Sequence, residues 1–168
     1  TLMIKKIYEY TKAPIVWTPM DIEPLTGGCH FNNGCNSFKK SCGNCPQLGN
    51  SRPKDITYQV FKKKIKNLNN LPITLVACTS NILDYINKSV LFKDNSVVKI
   101  LIGVDETIYA KVNKDVARSI LKLPKNDKII LFGGFNLDDN RHGGKILLDS
   151  LNLLWDKLNK SKLNTVIT

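Results

Sequence analysis

Residues 56–101 read ITYQVFKKKIKNLNNLPITLVACTSNILDYINKSVLFKDNSVVKIL, and this stretch decides the fold class. Tyr58, Phe61, Ile65 and Leu68 recur at helical spacing over residues 56–69, while Lys62, Lys63, Lys64 and Lys66 mostly fall off that face. Pro72 breaks the pattern. PITLVACTS (72–80) is then a β-branched, apolar run that predicts a buried strand ending in a turn. Ser80 is a candidate cap for a helix at 81–88, and VVKIL (97–101) predicts the next strand. A strand, a helix and a second strand in series argue for an α/β fold with a parallel sheet.

The same alternation extends in both directions. Upstream, LMIKKIYEYTK (2–12) has Leu2, Ile4, Ile7 and Tyr8 at near-helical spacing, Pro14 ends it, and IVWT (15–18) reads as a short buried strand. Downstream, the pattern resets around 102–113. A short helix is expected at 114–123 and a strand at 128–132. A glycine-rich loop follows, and then a helix at 145–158 with a stripe of Leu147, Leu151, Leu154, Trp155 and Leu158. A further strand begins at 164–168. Residues 19–55 carry no period and are rich in Gly, Asn and Pro. A loop of that length in a compact domain needs a function or a cross-link.

The chain has 168 residues with 42% hydrophobic content, so a packed core is expected and disorder is not. Its formal net charge is +11, carried almost entirely by lysine; Arg52, Arg118 and Arg141 are the arginines. That balance favours anionic partners, such as nucleotide phosphates, nucleic acid or an anionic membrane surface, or else simply a basic solvated surface. No apolar run approaches the roughly 18–20 residues of a membrane span, and the first residues lack the apolar region of a signal peptide. The expected compartment is therefore reducing and cytoplasmic.

Four cysteines, Cys29, Cys35, Cys42 and Cys45, lie within the periodless stretch in the spacing C-x5-C-x6-C-x2-C. Cys42-Gly43-Asn44-Cys45 has the form of a knuckle in which two thiolates take one metal. Four thiolates suit a structural zinc; two disulfides, an iron–sulfur cluster and free thiols are the alternatives. His30, adjacent to Cys29, is a candidate ligand or a polar neighbour. Cys78, inside the predicted strand, is expected to be a buried small hydrophobe. In the second half, Gly133 and Gly134 follow a strand, and Gly143 and Gly144 open a helix, flanked by Arg141 and Lys145. Amides at a helix N-terminus with two nearby cations could hold a phosphate; an ordinary turn capped by Asp138 or Asp139 is the alternative.

Taken together, TPMDIEPLTGGCHFNNGC (18–35), CGNCPQLG (42–49), SNILDYINKSVLFKD (80–94), IGVDETIYAK (102–111), ARSILKLPKNDKIILFGG (117–134) and NRHGG (140–144) resemble the group 1 (family 4) glycosyltransferases. The resemblance is greatest to a bacterial subgroup with a cysteine-rich insert. It implies a GT-B-like architecture with parts of two Rossmann-like domains. Residues 1–103 would be the second half of an N-terminal acceptor-side domain, with the cysteine-rich insert at 19–55. Residues 104–168 would begin a C-terminal domain that binds a nucleotide sugar. The implied activity is a retaining transfer of a sugar from a nucleotide-sugar donor to a polysaccharide or lipid-linked saccharide acceptor, with no catalytic metal. Asp21 would be the catalytic-side residue, Thr26, Gly27 and Gly28 the acceptor-side loop, and Gly133, Gly134, Arg141 and Lys145 the donor phosphate site.

The resemblance also implies departures. Met20 stands where the family usually has a histidine, and His142 where it usually has a lysine. The family's first strands and its Glu-x7-Glu motif would lie outside residues 1–168, so the expectation is a fragment of a glycosyltransferase, peripheral at the inner membrane face. Two other readings compete. A catalytically inactive scaffold is motivated by Met20 and His142. A zinc-stabilised nucleic-acid-binding module is motivated by the charge and the knuckle. The cysteine loop offers only Phe31, Phe38, Lys39 and Lys40 for such contacts, so nucleic acid is not the expected partner.

Overall fold

A computed structural model describes residues 1–49, 51–134, 136, 139, 141–157 and 163–167. The chain divides into two compact units, Thr1–Val104 and Asp105–Thr168.

The first unit is built on a three-stranded parallel sheet. Strands β1 (Ile15–Trp17) and β3 (Ser96–Lys99) flank β2 (Ile73–Ala77), giving the order β1-β2-β3. The register pairs Ile15 with Ile73 and Trp17 with Leu75 on one side, and Leu75 with Val97 and Ala77 with Lys99 on the other. Parallel neighbours cannot be joined by a tight turn, so each connection carries a helix. Helix α1 (Leu2–Thr11) precedes β1, α2 (Ile56–Leu68) lies between β1 and β2, and α3 (Ser80–Lys88) lies between β2 and β3.

The central strand buries Ile73, Leu75 and Ala77 and leaves Thr74 and Val76 half-buried, because both of its faces are covered. Phe61 and Leu68 of α2 and Ile82 and Ile86 of α3 complete the core. Phe92, after α3, meets Trp17 edge to face at 5.9 Å and ties the edge strand to the core.

Several local expectations shift. The first strand is an edge strand, and Val16 is exposed rather than buried. In α1, Ile4 and Tyr8 pack on the core, but Leu2 and Ile7 face solvent. Helix α3 is capped by Thr79, whose side chain accepts from the Ile82 amide at 3.1 Å. Ser80 instead accepts from Lys99 Nζ at 2.7 Å. Either hydroxyl satisfies the sequence rule; the extended backbone at Thr79 selects it as the cap. Lys64 is not on the solvated side of α2 but buried, for reasons given below.

In the second unit, α4 (Lys114–Ile120) precedes β4 (Lys128–Phe132), α5 (Gly144–Lys157) follows, and β5 (Leu163–Ile167) pairs parallel with β4. Arg118 is buried and donates to the carbonyls of Pro124, Lys125 and Asp127, gathering the α4–β4 turn around its guanidinium. Leu147, Leu151 and Leu154 of the predicted stripe are half-buried and Trp155 is exposed; Leu158 lies outside the described residues. The architecture is thus mixed α/β with parallel strand pairing in both units, compatible with Rossmann-like pieces. Among the described residues no helix is long and apolar enough to cross a membrane.

Candidate functional site

In open parallel sheets the loops after the strands form the binding edge. Here β1 ends at Trp17, and the chain passes at once into Pro19, which is fully buried. The Pro19 carbonyl lies 3.7 Å from Sγ of Cys78, the residue directly after β2. The start of TPMDIEPLTGG is therefore held against the end of the central strand, and Cys78 is buried there as a small packing residue, as expected.

Asp21 follows at the edge. One oxygen accepts from the Glu23 amide at 2.7 Å, starting a short 3-10 turn at Glu23–Leu25; the other lies 2.6 Å from His30 Nδ1. Partial burial pushes the Asp21 carboxyl up. The His30 and Glu23 hydrogen bonds, with the nearby charges of His30 and Lys64, outweigh it and hold the group below the usual carboxylate range. Asp21 occupies one ring nitrogen of an otherwise exposed imidazole. Met20 is itself exposed, yet an imidazole stands on the Asp21 carboxylate, supplied from position 30. No periodicity in the sequence links residues nine apart in an irregular loop, so this pairing was not legible there.

Thr26 and Gly27 are interior rather than surface-facing. The Thr26 hydroxyl donates toward the carbonyls of Cys29 (3.0 Å) and Glu23 (3.3 Å) and accepts from the Gly28 amide (3.2 Å). Gly27 packs so closely on Thr57 and Cys42 that a Cβ would collide with both. Gly28 is exposed. Of the predicted acceptor-side loop, then, Thr26 and Gly27 fix the backbone and Gly28 meets solvent.

Lys64 reaches from α2 into this loop. Its Nζ donates to the Glu23 carbonyl oxygen and to Glu23 Oε1, both at 2.5 Å. On the other side, the buried Ser89 donates to the Leu25 carbonyl at 3.2 Å. Tyr85 of α3 donates to the buried Asn32 at 3.2 Å, and its ring lies 5.6 Å from that of Phe38, which is also buried.

The cysteine loop is thus anchored to α2 and α3 by polar contacts as well as by packing. Cys29, Cys35, Cys42 and Cys45 all line one small pocket, and none of the four forms a disulfide. Among the described residues no group of three or more Cys, His, Asp or Glu side chains stands in a ready metal-binding arrangement. The Gly27 amide donates to Cys42 Sγ at 3.1 Å, and Cys35 Sγ donates to Ser37 Oγ at 3.4 Å. Burial pushes the Cys42 thiol up to about 11; the Gly27 amide opposes this, and Cys29, Cys35 and Cys45 add to it.

Asp55 joins this pocket to the core. Its carboxylate accepts from Thr57 Oγ1 (2.6 Å), the Cys45 amide (2.8 Å) and the Tyr58 amide (3.1 Å), so one side chain caps α2 and holds the knuckle. Those hydrogen bonds hold its carboxyl below the usual range. Asp55→Ala should lower the melting temperature of the first unit by about 5–10 °C, the effect of losing a strong N-cap. Asp55→Asn, which keeps an acceptor, should lower it by roughly half as much. Circular dichroism melts check both, and an unchanged Asp55→Ala melt would refute the joint role.

In the second unit, Gly133 and Gly134 follow β4, and a Cβ at Gly134 would stand 3.3 Å from that of His142. His142 Nδ1 lies 2.7 Å from the Asn136 carbonyl oxygen, closing the turn before α5. Arg141 and Lys145 both have partners. Arg141 forms a two-pronged pair with Asp139 at 2.5–3.1 Å, and Lys145 meets Asp149 at 3.1 Å one helical turn along. Asp139 therefore pairs with Arg141 rather than serving as the expected helix cap, and Asp138 lies outside the described residues. The Arg141 contact holds the Asp139 carboxyl down to about 2.

No family model matches the chain, and no solved structure matches it. Over 39 residues the chain is 44% identical to a putative colanic acid biosynthesis glycosyl transferase, WcaC, of Escherichia coli (strain K12). That stretch is 23% of this chain and 10% of the relative. The match supports a glycosyltransferase relationship.

Proposed function

We propose that this protein takes part in sugar transfer from a nucleotide-sugar donor to a polysaccharide or lipid-linked saccharide acceptor, with retention of configuration and without a catalytic metal. The observation that carries the proposal is the 44% identity over 39 residues to a glycosyl transferase. Parallel strands with helical connections in both units support it, because sheets of this kind bind nucleotides at the ends of their strands. In this reading residues 1–103 form an acceptor-side domain of GT-B type, where Asp21 and His30 meet the sugars. Residues 104–168 begin a donor-side domain, where Gly133, Gly134, Arg141 and Lys145 meet the diphosphate. The work is cytoplasmic, at the face of an anionic membrane.

Arg141 gives the test. Its guanidinium fork fits a phosphate as well as a carboxylate, so a diphosphate would exchange with Asp139. Asp139 stays ionised at neutral pH and competes throughout that range. Titrating the whole chain with UDP and GDP by NMR should therefore show two opposite shifts. Arg141→Ala should weaken binding by roughly tenfold or more, the worth of one charge-assisted fork. Asp139→Asn should strengthen it severalfold. Absence of binding by either nucleotide, or binding indifferent to both substitutions, would remove the donor site from this loop.

A further inference from the structure

We propose that Cys29, Cys35, Cys42 and Cys45 bind one zinc ion as a tetrahedral four-thiolate site that fixes the irregular loop 19–55 to α2 and α3. The four side chains converge on a single pocket although they are spread over three segments of that loop. Gly43 has φ +131° and Asn44 φ +51°, and the chain bends at Asn44 between the two cysteines of the knuckle. The Gly27 amide already donates to Cys42 Sγ, a contact that favours a thiolate over a thiol. Among its described residues the loop's regular structure consists of short 3-10 turns, and Ile22, Leu25, Phe38 and Cys42 are among those it buries.

Coordination by a soft divalent ion deprotonates thiols outright. Binding releases four protons and leaves a complex of net charge about −2, with Zn–S bonds of about 2.3 Å. Coordination would take Cys35 Sγ away from Ser37 Oγ, its partner at 3.4 Å. The site is independent of whether the protein transfers sugars.

The experiment is elemental analysis and intact mass of the full chain, purified without chelator from zinc-supplemented cells. About one zinc per chain is expected, with all five thiols free to alkylate after denaturation in chelator. Cys42→Ser and Cys45→Ser should lose the zinc, while Cys78→Ala, outside the pocket, should keep it. Should the serine variants fail to fold, cobalt(II) added to metal-stripped wild-type chain reads the same site. Intense bands of a tetrahedral thiolate complex are expected; the pale spectrum of the hydrated ion overturns the proposal. So does a chain lighter by four hydrogens, which marks two disulfides, or one that carries iron and sulfide.

Discussion

A Gly43→Ala chain should be less stable by about 3 kcal/mol or more, a large loss for one methyl group. The reason is local. Gly43 has φ +131°, a backbone region that side chains rarely enter, and a Cβ there would collide with the Pro53 carbonyl and press on Tyr58 Cβ. Neither neighbour can yield cheaply. Pro53 lies just before the Asp55 cap, and Tyr58 is in the first turn of α2. Relief must therefore come from moving the Cys42–Cys45 turn itself, which breaks the Cys45–Asp55 hydrogen bond and opens the cysteine pocket.

Gly49→Ala is the control. Its φ is +60°, but open space surrounds it, so it should cost only about 1–2 kcal/mol. Urea unfolding followed by Trp17 fluorescence in a Trp155→Phe background compares the two in the first unit. A Gly43 variant no less stable than the Gly49 variant would show that the turn is not held as tightly as its geometry implies.

The parallel α/β pattern was legible because hydrophobic period reports directly on regular elements. Phe61, Ile65 and Leu68 share the core side of α2, with Tyr58 only half-buried, and the apolar run at 73–77 is the central strand. The irregular loop was legible only in its composition. Its cysteines announce a pocket, but what positions them is a set of long-range polar contacts: Asp55 with Cys45, Ser89 with Leu25, and Tyr85 with Asn32. Contacts of that kind join residues 10 to 64 apart and leave no period. The Asp21–His30 pair escaped for the same reason. Lys64 shows the converse: a lysine in a run of lysines reads as solvated, yet three residues after Phe61 and four before Leu68 it borders the buried stripe, and Glu23 draws it inward.

That partner makes a sharper prediction, because the two halves of the pair should respond unequally to removal. Lys64 is 5% exposed, and its ammonium has two acceptors, both from Glu23. The Glu23 side chain is 37% exposed and can rehydrate where it stands. Glu23→Ala leaves a buried cation with a single carbonyl. Breaking a fully buried pair costs 3–5 kcal/mol; discounted for the exposure of Glu23, the expected loss is about 2–3 kcal/mol. Lys64→Met removes the buried charge, fills nearly the same volume and frees the carboxylate to water, so it should cost less than about 1 kcal/mol. The same urea measurement reads both. An equal loss in the two variants would mean that attraction, rather than the cost of burying an unpaired ammonium, governs the pair. The predicted asymmetry would make Glu23 the residue that lets a lysine reach inward from α2, placing the 3-10 turn behind Asp21 and so the edge on which Asp21 and His30 meet.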